Sequence, residues 1–228
     1  MHNPYYNESV VAKDVATGGH REAVGGLWND LGNLQLAFLQ SRGMVPGNRL
    51  LDVGCGALRL GCKAVDFLDA GNYFGIDLSP SLIEAGYQSE LSAEQRTRLP
   101  RSNLADTADF DLSFLEEPVD VAIAQSVFTH LPLNHIRRCL SRVAGKLRVG
   151  GVFYATAWLV PQDWPLDVAF RQPGDLNGTP IITHDLSDPY HYHLADFAHL
   201  ASDLPMQLEL VGDWGHPRGQ PMLAFTRR

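Results

Sequence analysis

The stretch Arg49-Leu50-Leu51-Asp52-Val53-Gly54-Cys55-Gly56-Ala57-Leu58-Arg59-Leu60-Gly61 leaves a chain few ways to fold. Leu50, Leu51 and Val53 form the apolar run of a central parallel strand. Gly54 and Gly56 permit a sharp turn and leave room for a ligand against the backbone. A helix starting directly after the turn, over 58–68, would aim its unpaired N–H groups at that ligand. Asp52 interrupts the apolar run. A carboxylate there is costly to bury unless it binds something or is hydrogen-bonded. The stretch therefore reads as a cofactor cradle.

The rest of the chain alternates strand and helix. A helix is expected over 24–41, where Leu27, Leu31, Leu34 and Phe38 recur at helical spacing, with Gly43 beyond its end. Tyr73–Asp77 is a second strand ending in an acid. Ser79-Pro80 starts the next helix, with a hydroxyl cap before a proline at the first helical position. Strands follow near 103–107, over 119–125 and over 152–158. A helix carrying Ile136, Leu140, Val143 and Leu147 precedes the last of these and is expected to stop at Gly150-Gly151. Such alternation implies a parallel sheet with right-handed crossovers.

The pattern breaks over 159–190, which holds Pro161, Pro165, Pro173, Pro180 and Pro189. A stretch of that length without clear elements reads as a substrate lid. A short helix, 194–201, and two close strands, 207–211 and 222–226, end the chain. Their proximity makes them antiparallel, so the sheet gains a reversed edge. Residues 1–23 are a lead or a flap, with Tyr5 and Tyr6 the hint of a flap, and 24–228 are one domain.

Composition narrows the partners. At 45% apolar and 19% charged, the 228-residue chain can bury a full core. A net charge of −8 argues against a nucleic-acid partner. The cluster Arg137, Arg138, Arg142, Lys146 and Arg148 reads as a solvated helix face. Cys55, Cys62 and Cys139 form no CxxC, which suits a reducing compartment. The opening residues show no signal pattern, and no apolar run nears the ~20 residues of a membrane span. A cytoplasmic protein with no membrane partner is expected; oligomeric state is not readable.

Asp77, 25 residues beyond Asp52, is placed to accept both hydroxyl hydrogens of a ribose. The dinucleotide fingerprint G-x-G-x-x-G would need glycine at 59, where Arg59 stands, and no Walker loop is present. The turn suits one nucleoside with a short zwitterionic tail.

At this point the chain resembles the class I S-adenosylmethionine-dependent methyltransferases, in particular their small-molecule members. Leu51–Gly56 is similar to their first motif, Tyr73–Pro80 to their second, Asp109-Phe110 to their third, and Ala124-Gln125-Ser126-Val127-Phe128-Thr129-His130-Leu131-Pro132 to their strand-four motif. The resemblance spans about 24–228. It implies a Rossmann-like α/β fold: a seven-stranded, mostly parallel sheet with helices on both faces and a reversed C-terminal edge strand.

It also implies a cofactor, S-adenosylmethionine, and roles for residues. Gly54, Cys55 and Gly56 lie under the methionine part and Asp52 reaches its ammonium. Asp77 holds the ribose, Leu78 packs on the adenine, Asp109 meets the adenine amino group beside Phe110, and Gln125 faces the methionine end. Asp106 is the alternative to Asp109. One departure is plain: the usual third glycine is Leu58.

The implied reaction is in-line methyl transfer to an oxygen or nitrogen of a small-molecule acceptor. His130 is the candidate base; otherwise it is a helix-entry residue. Trp158, His184, His191, His193 and His216 are candidate acceptor-lining residues, with Trp164 and Arg218 as weaker ones. No metal site is expected, since His191 and His193 lack a carboxylate or cysteine partner. The competing readings are a nicotinamide-dependent oxidoreductase and a non-catalytic S-adenosylmethionine-binding protein.

Overall fold

The computed structural model describes residues 7–228, so Tyr5 and Tyr6 lie outside the described residues. The chain divides into two compact units, one reaching to Ala122 and one running from Ile123 to Arg228.

The first unit opens with helices α1 (Glu8–Ala16), α2 (His20–Ala23) and α3 (Trp28–Ser41). Helix α3 starts later than its apolar spacing suggests. Gly25, Gly26 and Leu27 take φ of +87°, +62° and +49°, which no helix tolerates. Its far end matches the expectation. Gly43, at φ +92°, donates to the Gln40 carbonyl, and Met44 donates to that of Leu39, a left-handed stop with both carbonyls satisfied.

Strand β1 (Leu50–Val53) is buried throughout. The chain then loops to α4 (Gly61–Phe67), β2 (Tyr73–Asp77), α5 (Pro80–Ala85) with a π turn at Gly86–Glu90, α6 (Ala93–Arg98) and β3 (Leu104–Asp106). β1 and β2 are parallel with Leu50 opposite Tyr73 and Asp52 opposite Gly75; β2 and β3 are parallel with Gly75 opposite Leu104. The Ser79 hydroxyl accepts from Leu82 N–H with Pro80 at the first helical position, as its sequence signal implied. Helix α4 begins at Gly61 rather than at 58. Gly56 and Leu58 take φ of +51° and +66°. A loop, not a helix end, therefore forms the cradle.

Strand β4 (Val119–Ala124) straddles the division. Beyond it come α7 (Leu133–Lys146), β5 (Leu147–Thr156), β6 (Trp158–Leu159), β7 (Phe170–Leu176), β8 (Thr179–Thr183), β9 (His191–Tyr192), α8 (Leu194–Ser202), β10 (Met206–Gly212) and β11 (Met222–Arg227). In α7, Ile136, Cys139, Leu140, Val143 and Ala144 are buried on one stripe, and Arg137, Arg138 and Arg142 are exposed opposite it. This helix stops at Lys146, short of the Gly150-Gly151 end expected of it. Gly150 instead sits inside β5 at φ +79°.

The main sheet has seven strands in the order β10-β11-β5-β4-β1-β2-β3. β11 runs antiparallel to both β5 and β10. The reversed strand is thus the C-terminal one, and it lies one place in from the edge, which β10 occupies. Phe128 packs on Phe153 and Phe197, and Phe153 on Phe225, to form the aromatic centre of this unit.

The 159–190 segment is not featureless. β7 and β8 form a hairpin closed by Asn177 and Gly178 at φ +52° and +80°, the two-residue turn that Asn-Gly favours. Gly174 in β7 lies against the connection between β10 and β11. A Cβ there would meet the Arg218 carbonyl oxygen at 2.1 Å.

Candidate active site

In the first unit the glycine turn is tied to β2 by its own backbone. Gly54 and Cys55 N–H both donate to the Ile76 carbonyl, at 2.8 and 3.0 Å. Gly54 takes φ +75°, and Leu58, where the third glycine of such a turn would sit, also takes a left-handed φ. The leucine keeps the glycine backbone shape at a steric cost of about 1–2 kcal/mol, and its side chain is fully buried.

Gly56 N–H donates to one oxygen of Asp77 at 2.8 Å and Ser79 N–H to the other at 2.9 Å. A carboxylate has about four lone-pair positions. Held in this way, Asp77 presents two acceptor oxygens, the acceptor set a vicinal diol requires. Burial pushes its carboxyl up, opposed by those amides.

Asp52 is buried and accepts the Tyr73 hydroxyl at 2.7 Å. Burial pushes its carboxyl up to about 7, against the Tyr73 hydrogen bond and the Arg59 charge. Arg59 donates to the carbonyls of Val24 and Gly26 at 2.9 and 3.0 Å. It occupies the position where a dinucleotide turn needs glycine and ties the chain before α3 to the cradle. A Cβ on Gly56 would meet Val24 Cγ1 at 2.6 Å.

Cys55 differs from its expected place. Its sulfur packs beneath Gly75, 2.9 Å from where a Cβ would stand, so only its backbone belongs to the turn. After β3, Thr107 Oγ1 bonds the Asp109 carboxylate at 3.0 Å and accepts from Asp111 N–H at 3.0 Å. Phe110 is held at φ +59°. Asp106, the alternative, is exposed within β3. Leu78 is half-buried directly after β2.

The second unit gathers a buried polar network after β4. Gln125 Nε2 lies 2.5 Å from Ser126 Oγ and 3.0 Å from His216 Nε2. The Ser126 and Thr156 hydroxyls both donate to Gln220 Oε1 at 2.8 Å, and Ser126 N–H donates to Thr156 Oγ1 at 2.7 Å. Ser126 takes φ +59°. Three non-glycine residues in left-handed backbone, Leu58, Phe110 and Ser126, thus follow the carboxyl ends of three main strands.

The histidines separate by environment. His130 Nδ1 lies 2.6 Å from Asp188 Oδ1. His191 is fully buried, with Thr183 Oγ1 on Nδ1 at 2.9 Å and the Leu166 carbonyl on Nε2 at 3.0 Å. His193 caps α8 and donates Nε2 to the Trp164 carbonyl at 2.9 Å. These contacts join the lid segment to α8, with both ring nitrogens of His191 and Nε2 of His193 engaged, which favours structural roles for the two. Trp158 is likewise buried, in β6 beside β9. Trp164 packs edge-on to Phe170. His184 is half-buried where its backbone meets Tyr190. His216 is buried in the network above, with Arg218 N–H on its Nδ1 at 3.2 Å.

Sequence reasoning missed Tyr73, Asp188, Thr156 and Gln220. Only Tyr73 left a signal: a buried Asp52 needs a donor, and a tyrosine opens the adjacent strand.

Residues 51–153 match the family model described as a methyltransferase domain. The fold is shared with solved structures. An amino pentose methyltransferase of calicheamicin biosynthesis from Micromonospora echinaspora, solved with bound SAM, is 18% identical, at a TM-score of 0.60 over 93% of this chain and 97% of that one. The magnesium protoporphyrin IX methyltransferase of Synechocystis PCC 6803 with bound SAH is 16% identical, at 0.60 over 97% and 100%. DesVI of Streptomyces venezuelae is 18% identical, at 0.58 over 88% and 93%.

Proposed function

We propose that the chain is a class I S-adenosylmethionine-dependent methyltransferase that moves the methyl group to an oxygen or nitrogen of a polar small molecule. The observation that carries this reading is Asp77 at the end of β2, its two carboxylate oxygens fixed by the Gly56 and Ser79 amides.

The cradle fits S-adenosylmethionine in the chemistry of its donors. Asp77 takes the ribose hydroxyls. Gly54 and Gly56 give the methionine part a bare backbone. Asp52, close to half-ionised at neutral pH, becomes the counter-ion of the methionine ammonium, directly or through water. Leu78, Asp109 and Phe110 serve the adenine. Gln125 and its network serve the methyl-transfer end. When bound, the cofactor supplies a methyl group already activated on a sulfonium.

The chain's own task is then alignment and water exclusion. Alignment alone is worth about 7–11 kcal/mol of barrier. His130 receives the proton of an acceptor that carries one, which adds ~10²–10⁴-fold. Residues 159–190, with their hairpin, are the lid over the acceptor, and His184 is the histidine proposed to line it, since His191, His193 and His216 are held in hydrogen bonds of their own. Residues 8–23 are the cofactor flap. Arg21 grips Glu90 with two hydrogen bonds of 2.7 Å, and His20 meets the same carboxylate at 2.6 Å.

The nicotinamide reading falls on Arg59, whose buried guanidinium stands where the third glycine is required. No helix among the described residues is long and apolar enough to cross a membrane. The charge of −8 favours a small acceptor over a nucleic acid, and three free cysteines favour a reducing, cytoplasmic setting. Incubation with S-adenosylmethionine and a panel of amino sugars, sugars and phenols, read by release of S-adenosylhomocysteine, tests this. Turnover with one of them supports the reading. Tight binding of S-adenosylhomocysteine with no transfer to any hydroxyl or amine would favour the non-catalytic alternative.

A further inference from the structure

We propose that Asp188 is the positioning residue for His130. It holds the imidazole in the tautomer with hydrogen on Nδ1 and the lone pair on Nε2. This rests on the reading of His130 as the base of the transfer.

The contact is short and sheltered. His130 Nδ1 and Asp188 Oδ1 are 2.6 Å apart, with the two side chains 29% and 15% exposed. A surface pair of the same unit differs: Arg137 and Asp203 stand 3.8 Å apart at 64% and 77% exposure, the geometry of a pair of little consequence. An ionised carboxylate only accepts hydrogen bonds. The nitrogen facing it must therefore carry the hydrogen, and in the neutral ring the lone pair then lies on Nε2.

The surroundings fix the pair from both sides. His130 closes a short 3₁₀ turn, Phe128–His130, that follows β4. The segment bearing Asp188 is fastened to the residues flanking His130. Tyr190 N–H donates to the Thr129 carbonyl at 2.8 Å, and the Tyr192 hydroxyl donates to the Leu131 carbonyl at 2.5 Å. His184 N–H donates to the Pro189 carbonyl at 2.9 Å, which closes the segment on itself. The carboxylate thus reaches the ring on a frame anchored one residue to either side of it.

The proton balance is simple. The acceptor's proton passes from its oxygen or nitrogen to Nε2, while the Nδ1 hydrogen stays in place. The ring becomes an imidazolium facing an ionised carboxylate, which stabilises the charge as it forms. The proton leaves to solvent after transfer. An acceptor with a hydroxyl or an ammonium gains from this arrangement; one that loses no proton does not.

The test is ¹⁵N NMR of the histidine rings in the full chain at about pH 8.5, where imidazoles are ordinarily neutral. The His130 signals are assigned by their loss in His130→Gln. The wild type is expected to show His130 protonated at Nδ1 and bare at Nε2. Asp188→Ala is expected to move it toward the Nε2-protonated form, with binding of S-adenosylhomocysteine unchanged. Should Asp188→Ala not fold, Asp188→Leu, which fills the space without a carboxylate, gives the same reading. An Nε2-protonated ring in the wild type, or the same tautomer with and without the carboxylate, overturns the assignment. Failure of the wild type to bind S-adenosylhomocysteine would instead remove the methyltransfer reading beneath it.

Discussion

Tyr73, the first residue of β2, donates its hydroxyl to Asp52 of β1 at 2.7 Å. The pair explains how an acid is tolerated in a fully buried strand. One hydrogen bond offsets part of the desolvation, and the rest is left in the carboxyl, pushed up to about 7. Asp52 is therefore an acid whose ionisation is delayed by burial.

That has a measurable consequence for stability against pH. An acid whose folded-state pKa is raised contributes stability that is fully present below its unfolded pKa, near 4, and is lost as pH rises through about 7. Asp52→Asn carries no such cost. Its stability relative to wild type is expected to rise between pH 4 and pH 8, by up to about 4 kcal/mol for a difference of roughly three units. Urea unfolding of both proteins without cofactor at pH 4.5 and pH 8 checks this. A difference that does not change with pH would mean Asp52 titrates normally.

Gly56 is constrained twice, by φ +51° and by Val24. Gly56→Ala is expected to lose about 1–3 kcal/mol of stability and to weaken binding of S-adenosylhomocysteine. Val24→Ala should recover only the steric part. In a double-mutant cycle the two substitutions should therefore couple favourably by roughly 0.5–2 kcal/mol, while the backbone cost persists. Strict additivity would show that Val24 does not cover the turn.

Gln220 takes the hydroxyls of both Ser126 and Thr156 on one oxygen and accepts Trp214 Nε1–H on its backbone carbonyl at 2.9 Å. Gln220→Met keeps the volume and removes the side-chain acceptor. It should cost about 1–3 kcal/mol for the stranded polar groups, and lower turnover more than it raises the Michaelis constant for the acceptor. Thermal unfolding and steady-state kinetics separate the two effects.

The parts readable from sequence were those whose local chemistry and spacing coincide. Leu50 to Gly56, Ile76-Asp77 and Ser79-Pro80 each impose a local geometry, and the structure keeps all three. The stop at Gly43 followed from the same logic. What escaped depended on contacts distant in the chain. His191 and His193 looked like site residues because they flank a proline-rich stretch. Their engagement by Thr183, Leu166 and Trp164 follows only from the way β6, β9 and α8 pack. Asp188 lies 58 residues from His130, and no local rule joins them. The β7–β8 hairpin was hidden by Pro173 and Gly174, although Asn177-Gly178 between them and Thr183 was a turn signal in plain view. Gly150 reads as a helix stop, yet at φ +79° it serves inside a strand.

Isothermal titration of S-adenosylhomocysteine into wild type and Asp77→Ala asks whether Asp77, held by Gly56 and Ser79, is the ligand of the cofactor ribose. Clear binding is expected for the wild type, with a loss of about 1–3 kcal/mol, roughly 5–150-fold, in the variant. Equal affinity in the two proteins, or no binding to the wild type at high micromolar concentration, would contradict that role.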